Sequence, residues 1–284
     1  MRSEEEITNL VLNVAESDDR IRAVLLNGSR ANPNVKKDDF QDYDIVYLVQ
    51  EINSFIFNHS WIDIFGDRII VQMPEEMSFG RSGTEAFPYL MLFKDGVRID
   101  LSLFPIDKFE KLNKDSLTVV LLDKDRLLTN IPEPGDQDYW IKRPGEKEFI
   151  DCCNEFWWVS TNVAKGLYRN EISYAKEMLE IPVRTMFFKI IEWYIGINTG
   201  FSVSFGKGGK FMKNYIDPLL YEKIISTYPD AVAGNIWQSL FAMTKLFREL
   251  ALQIASAMHF SYNLTEDKNT SGYLASVYNI TKEK

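Results

Sequence analysis

Cysteine and histidine are scarce in this chain. Its 284 residues include two cysteines, Cys152 and Cys153, and two histidines, His59 and His259. The cysteines are neighbours in a segment of helical periodicity, where adjacent side chains diverge and a mutual disulfide would be strained. They are expected to be reduced and without a catalytic role. No cysteine or histidine spacing suits zinc. The two histidines lie far apart in sequence and are expected to be surface or packing residues. Histidine-based catalysis therefore has little to build on. A basic surplus is also missing: the formal charge is −9. A chain of that sign is a poor candidate for gripping nucleic acid, because phosphate binding needs a basic face; its field attracts cations instead. Nor does any stretch reach the roughly 18 apolar residues of a membrane span. Met1 to Glu6 carries carboxylates where a secretory leader needs a basic start. The chain is expected to be soluble and cytoplasmic, with no nucleic-acid or membrane partner.

What is present suffices for a large core. At 45% hydrophobic residues, 284 positions support one large domain or two ordinary ones. Ser3-Glu4-Glu5-Glu6 has the form of a capping box, and Ile7, Leu10, Val11 and Val14 follow at helical spacing, which predicts an amphipathic opening helix. Ile21 to Asn27 reads as a buried strand ending in the turn Gly28-Ser29. A loop from Ala31 to Gln41 leads into a strand within Asp42 to Val49, and Arg68 to Gln72 reads as another. Tyr89 to Phe93 and Val97 to Phe104 flank Lys94-Asp95-Gly96, a hairpin signal; Val119 to Leu122 adds a shorter strand. Pro132-Glu133-Pro134-Gly135 and then Pro144-Gly145 interrupt the pattern, and a domain linker is expected there. Beyond it, helical periodicity runs over 146–167, 173–195, 219–227 and 231–258. The expected fold is α+β: a mixed β-sheet flanked by helices over 1–134, a helical bundle over 146–264, and a polar C-terminal tail, 265–284, that frays.

Three features carry chemistry when taken together. Gly28-Ser29 follows one strand, Asp42-x-Asp44 opens a second, and Asp100 lies inside a third. Alternation puts Asp42 and Asp44 on one strand face, about 6 to 7 Å apart along the backbone. Val97, Ile99, Leu101 and Leu103 form one face of the later strand; Arg98, Asp100 and Ser102 form the other. If that strand pairs beside the first, three carboxylates converge. Such a cluster repels itself unless a counter-charge is present, and hard oxygen ligands of this kind are what Mg²⁺ binds together with water and substrate phosphates. The Gly28-Ser29 turn supplies N–H groups and a hydroxyl to phosphate oxygens. This combination favours nucleotidyl transfer by an ion-assisted displacement over a structural coincidence.

Gly28-Ser29-Arg30-Ala31, then Asp42-Tyr43-Asp44 and Asp100, resembles the DNA polymerase β-like nucleotidyltransferase superfamily. The longer strings Gly28-Ser29-Arg30-Ala31-Asn32-Pro33-Asn34 and Phe40-Gln41-Asp42-Tyr43-Asp44-Ile45 resemble the aminoglycoside 6-adenylyltransferases, which modify streptomycin. The resemblance extends to Lys165-Gly166-Leu167-Tyr168-Arg169. It implies that ATP is co-substrate and Mg²⁺ the metal, with Asp42 and Asp44 as ligands. It also implies that Gly28, Ser29 and Arg30 meet the nucleotide phosphates, and that Asp100 is the general base or a third metal ligand. The acceptor it implies is a cationic aminoglycoside, modified at the 6-hydroxyl. Pro33 stands where many superfamily members have a second glycine, and Gln41 where a serine often precedes the first aspartate, so the loop between them departs from the broader pattern. A different small-molecule or protein acceptor, or a non-catalytic regulatory module, remain the alternatives; intact Asp42, Asp44 and Asp100 weigh against the last.

Outside this cluster, Phe205 to Lys213 is a glycine-rich basic loop without Walker spacing, and Lys207 and Lys210 are its candidate triphosphate contacts. Glu155, Trp157, Trp158, Glu177 and Glu180 are candidates for a polycationic ligand; tryptophans at helical spacing more commonly pack a core.

Overall fold

The computed structural model describes residues 1–81, 83, 85–111, 115–129 and 131–283. They divide into two compact units, Met1–Asp138 and Tyr139–Lys284.

The first unit is built on a six-stranded sheet. Its strands are β1 (Ile21–Asn27), β2 (Tyr43–Val49), β3 (Arg68–Gln72), β4 (Phe87–Phe93), β5 (Arg98–Pro105) and β6 (Thr118–Asp123). They are ordered β3-β4-β5-β2-β1-β6. The β2–β5 pair is parallel and the other pairs are antiparallel, so the sheet is mixed. The β4–β5 hairpin turns at Lys94-Asp95-Gly96, where Gly96 donates to the Phe93 carbonyl at 2.9 Å.

Helix α1 (Glu4–Ser17) begins at the expected capping box: Ser3 accepts from the Glu6 amide, and Glu6 accepts from the Ser3 amide. Its buried stripe, Ile7, Val11, Val14 and Ala15, joins Tyr43, Ile45 and Tyr47 of β2 and Ile99, Leu101 and Leu103 of β5 in the main core of this unit. A short helix, α2 (Asn53–Ile56), adds Phe55 to it. The Tyr47 hydroxyl donates to the Val11 carbonyl at 2.7 Å, so its polar end is satisfied inside that core. Period-2 alternation sends Val46, Leu48 and Phe104 to the opposite sheet face, where a smaller cluster forms with Ala23, Leu25 and Leu128. Asp44 and Asp100 share the parity of that thinly covered face. A carboxylate tolerates it where the main core would not admit one.

The second unit is helical: α3 (Glu146–Tyr168), α4 (Ile172–Met178), α5 (Arg184–Thr199), α6 (Pro218–Ile225), α7 (Ala233–Met258) and α8 (Leu264–Lys282). The buried residues Phe149, Cys152, Phe156, Val159 and Val163 of α3 repeat every three to four positions, as a helix facing a core requires. Phe156 stacks on Phe247 of α7 with ring centroids 3.7 Å apart.

Two expectations fail here. The segment 173–195 is not one helix, because Pro182 lacks an N–H for the backbone ladder. The chain absorbs that loss in a π-helical turn, Leu179–Val183, between α4 and α5. Of the segment expected as a frayed tail, 265–284, residues 265–282 instead make up nearly all of α8. Asn263 caps it by accepting from the Glu266 amide at 3.1 Å. It docks through two positions, Asp267 and Leu274, at 2% and 1% exposure. Asp267 accepts from Arg248 Nε at 2.6 Å and from the Tyr262 hydroxyl at 2.7 Å. Val277 and Tyr278 pack half-buried on the core of this unit, Tyr278 against the rings of Trp237 and Phe241, so the apolar face of α8 is sparse and its periodicity is weak.

Candidate functional site

The site starts where β1 ends. Asn27 is the register partner of Asp44, so the Gly28 turn that follows lies beside the start of β2. Gly28 has φ of +71°, a region that side chains rarely adopt. A β-carbon there would collide with Asp44 Oδ2 and lie 3.0 Å from its Cγ. Glycine is thus required both by backbone conformation and by the approach of a carboxylate. The Gly28 amide donates to the Leu117 carbonyl, and Thr118 Oγ1 donates to Asn27 Oδ1 at 2.9 Å, which ties the turn to β6.

The carboxylates are brought together by strand pairing. Asp44 and Asp100 are register partners on the parallel pair β2–β5. Adjacent strands run about 4.8 Å apart, so these two side chains leave the same face as neighbours. Asp42 precedes β2 with the same parity. Arg98, two residues before Asp100 on the same face of β5, grips it through both oxygens, Nε at 2.8 Å and Nη2 at 2.7 Å. Arg98 Nε also lies 3.6 Å from Asp42 Oδ2.

Electrostatics follow from this crowding. Burial, then Asp100 and Asp42, push the Asp44 carboxyl up to about 6, with Arg98 opposing and Asp115 adding to the rise. Burial also raises Asp42; Arg98 acts against that shift and Asp100 with it. The donor set fits Mg²⁺ in kind, since it consists of carboxylate oxygens. Among the described residues, however, no three His, Cys, Asp or Glu side chains gather around one point as a closed metal cage would. Asp100 and Asp42 are drawn instead to the guanidinium of Arg98.

The remaining candidates fall into different surroundings. Ser29 sits half-buried in the turn Gly28–Arg30. Arg30, expected at the phosphates, has a side chain only 7% exposed. Its Nε and Nη2 donate to the Gln41 carbonyl at 3.2 and 2.8 Å, and its guanidinium lies 3.7 Å from the centre of the Tyr43 ring. With those partners it clamps the turn to the peptide that enters Asp42. Lys207 is exposed on the rim of a cavity of about 360 Å³ in the helical unit, lined also by Trp140, Glu192 and Trp193. Lys210 is exposed, with its ammonium 5.0 Å from the Phe211 ring centre. Trp157 is core, donating to the Tyr262 hydroxyl at 3.2 Å. Glu180 is engaged by Lys176 and Arg184. Trp158, Glu155 and Glu177 are exposed. Cys152 and Cys153 are free and buried, and burial pushes the Cys152 thiol up to about 12, so it is an inert packing residue. His59 lies between the Tyr89 hydroxyl at 2.9 Å and Glu76 at 3.0 Å.

Two contributors escaped the sequence reading. Arg98 stands on the carboxylate face two residues before Asp100, a position that alternation makes visible, yet it received no role. Asp115 adds repulsion at Asp44 from a loop, where no periodicity marks it.

A mixed sheet with register-paired aspartates on a parallel pair, beside a glycine-serine turn that fits against one of them, has the parts a nucleotidyltransferase needs. The family described as streptomycin adenylyltransferase matches residues 1–277. The chain belongs to that family. It is similar to the aminoglycoside 6-adenylyltransferase of Campylobacter jejuni, 43% identical over 94% of this chain and 93% of the relative. The aminoglycoside 6-adenylyltransferase of Bacillus subtilis (strain 168) is 43% identical over 98% of this chain and 99% of its own length. That of Staphylococcus aureus is 37% identical at the same coverage. No helix among the described residues is long and apolar enough to cross a membrane.

Proposed function

We propose that this protein transfers AMP from ATP to a hydroxyl of an aminoglycoside, the 6-hydroxyl of streptomycin, and releases pyrophosphate. The observation that carries the reading is the register pairing of Asp44 with Asp100, with Gly28 fitted against the Asp44 carboxylate. Membership of the family gives the reaction class, and a net charge of −9 suits a polycationic acceptor.

In this reading the acceptor oxygen attacks the α-phosphorus of ATP. A new P–O bond forms, the bond to the bridging α–β oxygen breaks, and pyrophosphate departs with the electron pair. Asp100 takes the proton from the attacking hydroxyl where it acts as general base; in its alternative role as third metal ligand, that proton passes to solvent. Gly28 and Ser29 bind phosphate oxygens through turn amides and the Ser29 hydroxyl. Asp42 and Asp44, with Asp100, are the residues that would hold Mg²⁺, whose contribution when bound is counter-charge for the triphosphate and the developing pyrophosphate. Arg30 orients: it holds the Gln41 carbonyl and with it the entry to Asp42.

The test is pyrophosphate release by the purified full chain with Mg-ATP and a panel of aminoglycosides, followed by NMR of the product. Turnover with streptomycin and an adenylyl group on its 6-oxygen is expected. Release with other aminoglycosides but not streptomycin removes the acceptor assignment. No release with any of them removes aminoglycoside adenylylation.

A further inference from the structure

Arg98 is bound to the carboxylates that the proposed reaction needs. Its guanidinium engages both oxygens of Asp100 and approaches Asp42, a two-pronged geometry that guanidinium matches better than ammonium. The pairing is also exchangeable. The Arg98 side chain is 45% exposed, and half-exposed ion pairs are weak, so the long stem reaches solvent at modest cost. A divalent cation entering the cluster would meet a positive charge already seated on Asp100. Both cannot hold the same two oxygens.

We propose that Arg98 is an internal counter-ion that neutralises Asp100 and Asp42 in the metal-free protein and must release Asp100 before a divalent cation is bound there. Arg98 thereby sets the metal affinity of the site. Its role is that of a positioning residue: it pairs with Asp100 and approaches Asp42, and it makes metal binding there conditional on a side-chain exchange. The two equilibria are linked, so removing one competitor strengthens the other by the same factor. This inference rests on the reading of Asp42, Asp44 and Asp100 as metal ligands.

The experiment is calorimetric titration of Mn²⁺ into the full, metal-free chain without nucleotide, comparing wild type with Arg98→Met and Arg98→Lys. Arg98→Met is expected to bind Mn²⁺ about tenfold more tightly than wild type. Arg98→Lys, which keeps the charge but loses the paired grip, is expected to fall between them. A merely structural arginine would give the opposite sign, because loosening the site weakens metal binding. Equal or weaker binding by a folded Arg98→Met, with folding checked by near-UV circular dichroism, overturns the proposal. A second measurement uses wild type alone: the Arg98 Nε–H resonance, assigned by its loss in Arg98→Lys, is expected to move during Mg²⁺ titration in step with the binding heat. A resonance that stays fixed while metal binds also overturns it. If neither wild type nor variants bind Mn²⁺ with or without ATP, the metal-ligand reading itself fails, whereas equal binding by all three removes only the role of Arg98.

Discussion

Gly28 and Asp44 are in contact: the turn passes so close to the carboxylate that no side chain fits between them, and the glycine holds a φ of +71°. Replacing Gly28 by alanine sets a left-handed backbone cost and a collision against the same group. Gly28→Ala is expected to lose about 2 kcal/mol of stability, read from urea denaturation. Transfer activity should fall further than stability explains, because the displaced group is Asp44. A variant with wild-type rate and wild-type melting would show that the turn relaxes away.

Asp44→Asn removes charge at nearly constant volume. Pyrophosphate release is expected to stop while the metal-free protein becomes more stable at neutral pH, since a buried repulsive carboxylate is gone. A variant that retains near-normal turnover takes Asp44 out of the mechanism.

The same group predicts a pH dependence. Burial first, and Asp100 and Asp42 next, raise Asp44 to about 6. In the unfolded chain it titrates at about 3.9. Between these values the native state keeps a proton that the unfolded chain has lost, so stability from this group falls as pH rises through the window. The loss is on the order of 3 kcal/mol, nearly complete once pH exceeds about 6. Melting of metal-free wild type and Asp44→Asn between pH 4 and 7.5 isolates it. Parallel curves would show that the carboxyl is not raised.

Arg30 is expected to act through position. Arg30→Met removes two hydrogen bonds to the Gln41 carbonyl and the contact with the Tyr43 ring, at a cost of about 2 kcal/mol. The kcat for adenylyl transfer should drop with KM for ATP held within about twofold. A rise in KM at constant kcat would make Arg30 a phosphate contact after all.

In the helical unit, Arg248→Met strands the buried Asp267 carboxylate, which is 2% exposed against 34% for the arginine side chain. The expected cost is about 3 kcal/mol, toward the low end for buried pairs because the arginine is partly solvated. Arg248→Met combined with Asp267→Leu should cost less than Arg248→Met alone, measured by urea denaturation. The reverse order would mean that α8 is held chiefly by other contacts.

The elements legible from the linear chain are those coded by short-range physics. The capping box at Ser3, the alternation along Arg98 to Phe104 and the hairpin at Asp95-Gly96 each depend on neighbours a few residues away. Pro182 lay in plain view, yet whether it ends a helix or is absorbed as a π turn depends on packing around it. Helix α8 was read as tail because its anchoring partner, Arg248, is 19 residues from Asp267.

The site divides along the same line. The chain by itself determined that Asp42 and Asp44 share one strand parity, that Asp100 lies opposite the apolar face of another strand, and that Gly28 bends sharply, since alternation and glycine chemistry are local. Only the tertiary structure decided that β2 and β5 pair in parallel with Asp44 opposite Asp100, and that Arg98 supplies their counter-charge while Arg30 is buried in the loop it clamps. Strand partnership and side-chain pairing join residues far apart in sequence. Their energies depend on distance and burial, which exist only once the sheet has formed.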